Sequence, residues 1–309
     1  MEKIKNFDII VYHSGCSDGT GSLWSANHYK PIETKIPCEA GKNPDSDVDA
    51  KDKNIIFVDL FPTLEYILET SKIAKNIVIL DHHKSALDLY EKNKVVLDDI
   101  KNVKIILDMN RSGCMMTWDY FFEREKRPFF IDYIGDRDLW TWKLYKSKEI
   151  NAALFHLKYL DTYNLSKLTR LLGGAEFKIK KLEKEGELIL RIQNQDIYNA
   201  VRDADESKFT YEDKVYRVWL VGNFNLSLRS EVGNKLVTKN FEDGTKPDFA
   251  AIYKYDFEEN VWWISVRGNE HSPDLSKICT SLGGGGHACS ASFVIKDPKG
   301  LQTHFIKII

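Results

Sequence analysis

Three apolar runs in the first third of the chain share one layout. Phe7-Asp8-Ile9-Ile10-Val11-Tyr12 ends at His13, Asn54-Ile55-Ile56-Phe57-Val58 ends at Asp59, and Asn76-Ile77-Val78-Ile79-Leu80 ends at Asp81-His82-His83. Short runs rich in β-branched residues, without polar alternation, predict parallel strands buried on both faces. Each is followed by helical spacing, as at Leu64, Ile67 and Leu68 after Asp59, where Pro62 opens the segment as a first-turn proline would. Strand and helix alternating in this way imply a parallel sheet with right-handed crossovers. The polar residues that close the strands then gather on the carboxyl edge, where open α/β folds bind ligands.

The pattern continues with a strand over 104–107 and a helix over 111–125, whose Cys114, Met115, Trp118, Phe121 and Phe122 share a face. Residues 128–172 read as mainly helical. The highly charged segment 175–200, with sparse apolar positions such as Leu182, Ile189 and Ile192, predicts a partly exposed connecting helix rather than a packed core element. Strands are then expected over 215–221, 249–255, 261–267 and 288–295, with helices over 225–239 and 273–282. The fold class is therefore α/β: a parallel-sheet domain over 1–174, a helical connector over 175–205 and a smaller α/β domain over 206–309. No internal repeat or low-complexity tract interrupts it.

Charge narrows the set of partners. With 44 basic and 46 acidic residues the formal net charge is −2, so no strong field points to long duplex DNA or to a membrane surface, and balanced charge suits small phosphorylated molecules. No apolar stretch approaches the ~20 residues of a membrane span, and the short charged start Met1–Asn6 is not expected to be a signal peptide. The five cysteines are odd in number and form no CxxC pair, which predicts a reducing, cytoplasmic setting. Oxygen and nitrogen donors at the strand ends suit a hard or borderline divalent ion, Mn²⁺ or Mg²⁺ before Zn²⁺.

Taken in order, these motifs resemble the DHH phosphoesterase superfamily with a DHHA1 accessory domain. Tyr12–Gly19 is similar to its first motif, Val58-Asp59 to the second, Asp81-His82-His83 to the third and Tyr133–Trp140 to the fourth. Leu282-Gly283-Gly284-Gly285-Gly286-His287 resembles the DHHA1 glycine signature, and Trp263–Arg267 the strand before it. The resemblance covers nearly the whole chain. It implies a metal-dependent phosphoesterase of the nanoRNase and nucleotide phosphatase kind. The substrate would be a small nucleotide or a short single-stranded oligonucleotide: short RNA, a bisphosphorylated adenosine or a cyclic dinucleotide. The active site would lie between the two domains, and the family includes homodimers.

The resemblance also implies roles. Two cations, Mn²⁺ with Mg²⁺, Zn²⁺ or Fe²⁺ as alternatives, would be held by His13, Asp18, Asp59, His82 and Asp136, with Asp59 bridging. His83 would contact the substrate phosphate or protonate the leaving group, so His83 and Asp59 are the catalytic pair, and Asp81 would orient an imidazole. Arg267, Gly284, Gly285, Gly286 and His287 would bind the nucleotide, the glycines through closely approaching backbone N–H groups that favour an anion. One departure stands out. The family's first motif has Asp-x-Asp, and here Cys16 holds the first place. Cys16 either ligates as a soft thiolate, favouring Zn²⁺ or Fe²⁺, or ligates nothing. We favour the second.

Plainer readings stand beside these. Asp136 and Asp138 compete for one metal role, either being able to cap a helix or pair with Arg137, and motif position favours Asp136. His28, His156, His271 and His304 read as structural. Trp140 and Trp142 could stack on a base, although tryptophan more often anchors a core. Ser112-Gly113 reads equally as a plain helix cap, and the lysines of 178–184 as a solvated helix face. The alternative function is a nucleotide-binding regulatory protein with a degenerate first metal site.

Overall fold

The computed structural model describes residues 3–44, 48–222, 226–297 and 299–307. The chain divides into two compact units, Met1–Leu190 and Arg191–Ile309. The first is built on β1 (Ile9–His13), β2 (Thr34–Cys38), β3 (Asn54–Val58), β4 (Asn76–Asp81) and β5 (Val103–Leu107), an all-parallel sheet of order β2-β1-β3-β4-β5. Its helices are α1 (Ser17–Tyr29), α2 (Leu64–Ser71), α3 (Lys84–Lys92), α4 (Lys94–Asp99), α5 (Gly113–Phe122), α6 (Phe129–Asp138), α7 (Ser147–His156) and α8 (Ser166–Thr169). α9 (Ala175–Arg202) follows.

The uninterrupted apolar character of the central strands has a direct cause. Ile9, Val11, Ile55, Phe57, Ile77 and Ile79 pack on one face with Ile67 of α2. Ile10, Tyr12, Ile56, Val58, Val78 and Leu80 pack on the other with Leu23 of α1 and Met116 and Phe121 of α5. With period-2 side chains and both faces covered, no position is left for a polar residue until the strand ends. The register Tyr12↔Val58↔Leu80 brings His13, Asp59 and Asp81 to one level on three adjacent strands. β2 escaped the sequence reading because it is an edge strand: Thr34, Lys35 and Pro37 face solvent, and only Cys38 is buried.

The second unit holds a seven-stranded mixed sheet of order β10-β11-β9-β8-β7-β6-β12. Its strands are β6 (Asp205–Tyr211), β7 (Lys214–Val221), β8 (Phe249–Asp256), β9 (Val261–Arg267), β10 (Gly285–His287), β11 (Ser290–Ile295) and β12 (Phe305–Lys307). Among its described residues only β7 and β8 pair in parallel. Its helices are α10 (Arg229–Val237), α11 (Leu275–Ser281) and α12 (Gly300–His304), with a 3₁₀ turn at Leu226–Leu228 ahead of α10; the expected helix start at Asn225 lies outside the described residues. β6 was missed because polar Asp205, Glu206, Ser207, Lys208 and Thr210 outnumber its buried anchor, Phe209. β10 and β12 are short, and β10 is glycine-rich.

The expectation for α9 needs correcting. Leu182 is buried in the core of the first unit with Phe130, Ile150 and Leu154, and Ile197 and Ala200 are buried in that of the second. Leu188 and Ile192, by contrast, are 61% and 71% exposed. The helix is therefore a core element along one stripe and solvated along another. Among the described residues no helix is long and apolar enough to cross a membrane.

This burial contrast makes a stability prediction. Leu182→Ala removes a side chain from a packed core and is expected to destabilise the first unit by about 2–5 kcal/mol. Leu188→Ala, on the exposed stripe, is expected to change stability by less than about 0.5 kcal/mol. Urea unfolding followed by circular dichroism measures both.

Candidate metal centre

The strand ends set the donors and the helix starts lock them. Asp59, one residue beyond β3, has a left-handed backbone (φ 57°), and its N–H donates to the Leu80 carbonyl at 2.9 Å. Its carboxylate is 1% exposed and divides its two oxygens. Oδ2 lies 3.2 Å from His13 Nδ1, and Oδ1 lies 3.1 Å from His82 Nε2. Asp18, in the first turn of α1, is fully buried and accepts the backbone N–H groups of Gly113 (2.5 Å) and Cys114 (3.0 Å) at the start of α5. That helix terminus carries partial positive charge and unpaired donors, so it stabilises the carboxylate it meets.

Two glycines make this approach feasible. A Cβ at Gly19 would stand 1.9 Å from the His13 carbonyl oxygen, and one at Gly113 would stand 2.5 Å from the Asp59 Cβ. The Asp18-Gly19 and Ser112-Gly113 pairs thus let two helices start against the ends of β1 and β3. Ser112-Gly113, read from the sequence as equally a plain cap, is a packing requirement of the centre.

His82 is buried, and three carboxylates converge on its Nε2: Asp59 at 3.1 Å, Asp138 at 3.4 Å and Asp18 at 3.5 Å. The third motif's other members form a pair, with His83 Nδ1 2.6 Å from Asp81 Oδ1. The same Asp81 oxygen accepts the backbone N–H groups of His82 (2.7 Å) and His83 (3.3 Å).

Asp136, expected from the sequence as a ligand, is not in this group. Its carboxylate accepts the Thr141 hydroxyl and the backbone N–H groups of Lys143 (2.9 Å) and Leu144 (3.2 Å), fastening the turn after α6. Burial raises its pKa, but these donors and Ser147 override that and hold it below the ordinary carboxylate value. Two residues apart on a helix means about 200° apart around its axis, so only one of the two aspartates can face the centre. It is Asp138.

In the second unit Arg267 closes β9, its guanidinium donating to the Val266 carbonyl (2.8 Å) and Ser230 Oγ (2.9 Å). The glycine run serves the backbone in part. The N–H groups of Gly283 and Gly284 bond to the carbonyls of Thr280 (3.0 Å) and Cys279 (2.8 Å) at the end of α11. A Cβ at Gly284 would stand 1.9 Å from the Ser292 carbonyl oxygen. The Gly284 N–H, expected from the sequence to contact an anion, is bonded within its own chain. Gly285, Gly286 and His287 form β10 against β11.

No family model matches the chain. The uncharacterized protein R106 of Acanthamoeba polyphaga mimivirus is 26% identical over 310 residues, covering 95% of this chain and 68% of that protein. Oligoribonuclease NrnB of Bacillus subtilis is 26% identical over 246 residues, 75% of this chain, and the match spans 55% of NrnB. The solved pGpG-specific phosphodiesterase PggH of Vibrio cholerae is 12% identical, with a TM-score of 0.46 and 96% of each chain covered. The relation to NrnB joins the ordered motifs, the parallel five-stranded sheet and the mixed second sheet already described. The chain has a DHH/DHHA1 phosphoesterase-like fold.

The donors of this centre fit metal ions. Asp18, His82 and Asp138 form one group, and His13, Cys16 and Asp59 another. Asp59, Asp81 and His83 form a third, and within each group the ligand atoms lie within 4.8 Å of one another. Spacings of 3.1–3.5 Å between donors match the roughly 3.3 Å edge of a tetrahedron with metal–ligand bonds of about 2.0–2.1 Å. Asp138 Oδ2 is buried and makes no hydrogen bond. Asp59 directs Oδ2 toward His13 and Oδ1 toward His82, one oxygen to each of the first two groups.

Electrostatics point the same way. Burial, with Asp59 and Asp138 nearby, pushes Asp18 well above the usual carboxylate range, and burial raises Asp138 too. Burial disfavours charge on His13 and His82, yet Asp59 overrides it and holds both well above the ordinary histidine value of 6.5. Asp59 itself, despite burial, is drawn well below its ordinary value by those two imidazoles. The shifts at His13, Asp18 and His82 all favour proton binding in the cluster.

The sign of the pH dependence follows. From the ordinary carboxylate range up through the raised histidine values, the folded state binds more protons than the unfolded state. Stability of the chelator-treated protein is therefore expected to fall as pH rises, by about 1.4 kcal/mol per pH unit for each excess proton. Asp59 opposes this only on the acid side, below its unfolded value. Cations compete with those protons, so saturating Mn²⁺ should remove the fall. Thermal unfolding from about pH 6 to about pH 9, with EDTA and with Mn²⁺, reads both. Asp138→Asn should lower Mn²⁺ affinity by about 10- to 100-fold, while Asp136→Asn should chiefly lower the melting temperature. Calorimetric titration separates the two.

Proposed function

We propose that the chain is a divalent-metal-dependent phosphoesterase that hydrolyses phosphate esters of small nucleotides or short oligonucleotides. The observation that carries this reading is the convergence of Asp18, Asp59, Asp138 and His82, with His13, at the carboxyl edge of the parallel sheet. Bound Mn²⁺ ions would supply a water of lowered pKa and neutralise charge building on the phosphoryl oxygens. His13 and Asp59 would hold one ion, and Asp18, Asp59, His82 and Asp138 the other.

The chain's own residues supply the rest. Asp81 engages His83 at Nδ1, which fixes the tautomer, so proton exchange with the leaving oxygen falls to Nε2. In the second unit we assign nucleotide contact to Arg267, whose planar fork suits a phosphate, and to Gly285, Gly286 and His287. The names of NrnB and PggH support nucleotide or oligonucleotide substrates. The five free cysteines suit a reducing compartment, the cytoplasm.

Two substrates test the roles. With Mn²⁺, the protein is expected to turn over both bis-p-nitrophenyl phosphate and short oligoribonucleotides. Asp59→Asn should lower both rates by about 10²–10³ or more. His83→Ala should cost about 10²–10⁴ on the oligoribonucleotide, whose leaving alkoxide needs a proton, and far less on the p-nitrophenyl ester, whose leaving group does not. Nucleotide binding without turnover under any divalent ion would overturn the enzyme and leave the regulatory alternative.

A further inference from the structure

Cys16 has three features that its other roles do not explain. Its side chain belongs to none of the first unit's apolar clusters among the described residues, and it is partly exposed, so it is not a core filler. It caps α1, Sγ accepting the Asp18 N–H at 3.4 Å. Serine, aspartate or asparagine caps better, so capping alone does not select sulfur. Finally, Sγ lies within 4.8 Å of ligand atoms of His13 and Asp59, and Asp59 Oδ2 is 3.2 Å from His13 Nδ1.

We propose that Cys16 is a metal ligand and that, with His13 and Asp59, it makes the first site a sulfur–nitrogen–oxygen site for Zn²⁺, Co²⁺ or Fe²⁺. The second group, Asp18, His82 and Asp138, together with Asp59 offers three carboxylates and one imidazole and suits Mn²⁺ or Mg²⁺. This inference deepens the metal-dependent reading above and rests on it. It reverses the reading favoured from sequence, in which Cys16 ligates nothing. The chemical basis is ligand softness: thiolate favours borderline and soft ions, whereas carboxylate and water favour hard ones. The centre is then a mixed one, with Asp59 joining two sites of unlike preference. A single residue, Cys16, sets the difference.

Cobalt alone reports this directly. The metal-free full-length protein, titrated with Co²⁺, is expected to develop a near-ultraviolet thiolate-to-cobalt charge-transfer band. Cys16→Ser should lose the band while still binding Co²⁺ at the second group, measured by equilibrium dialysis. Cys16→Asp, which restores an oxygen donor and a good cap, should also lose it. Relative to the unaltered chain, it should shift the Mn²⁺/Zn²⁺ affinity ratio toward Mn²⁺ by at least about tenfold, the low end of what a change in a metal's ligand environment costs. Cobalt bound without the band, or a band undiminished in both variants, would overturn the role of Cys16 and leave the phosphoesterase reading standing. No cobalt bound by the folded protein would overturn the metal centre itself.

Discussion

Two buried carboxylates, Asp18 and Asp59, and the partly buried Asp138 meet one imidazole nitrogen, and this is the constraint around which the first unit is organised. Like charges this close in a low-dielectric interior repel strongly, and each must be desolvated as well. The fold answers with several devices at once. The start of α5 lends two N–H groups to Asp18. Asp59 splits its oxygens between two histidines. The raised pKa values of the two imidazoles and of Asp18 act in the same direction. These devices compensate the repulsion without removing it, so a cation placed among these donors would relieve what remains.

The same constraint explains where small residues fall. Gly19 and Gly113 are needed because two helix starts must come against His13 and Asp59 without a Cβ between, and the left-handed turn at Asp59 is set just past the last ladder pair, Val58↔Leu80. Aspartate tolerates that region better than a β-branched residue would. Asp81 contributes differently. By accepting two successive backbone N–H groups and the His83 ring, it determines how the chain leaves β4, and hence which way both imidazoles are presented.

Much of this was legible in the sequence, and the limits have physical causes. Strands buried on both faces announce themselves as unbroken apolar runs, so β1, β3 and β4 and the polar residues that end them could be read directly. Edge and polar-faced strands such as β2 and β6 carry no such signature. The choice between Asp136 and Asp138 depended on the rotational phase of α6, which motif position does not supply; the 200° separation on a helix would have shown only that one of them must point away. The glycine run illustrates the converse. Read as a set of donors for an anion, its first two N–H groups close α11, and Gly284 is small because the Ser292 carbonyl passes over it.

A centre built this way links stability to chemistry. The charge concentration that makes the site useful for a divalent ion also works against the folded state, while the two-faced apolar sheet beneath it supplies the compensating burial. Tyr12, Val58 and Leu80, the last apolar residues before the donors, are all buried on one face with α1 and α5, and those are the helices whose first turns meet the cluster. Packing and site are thus the same set of contacts seen from two ends. A substitution that loosens Leu23 or Phe121 would move the helix starts that hold Asp18 in place, so the geometry of the donors depends on side chains that never approach a ligand. That coupling is why the donors can remain so close together: the sheet and its helices hold them in place against their mutual repulsion, and a bound cation relieves the repulsion without having to gather them.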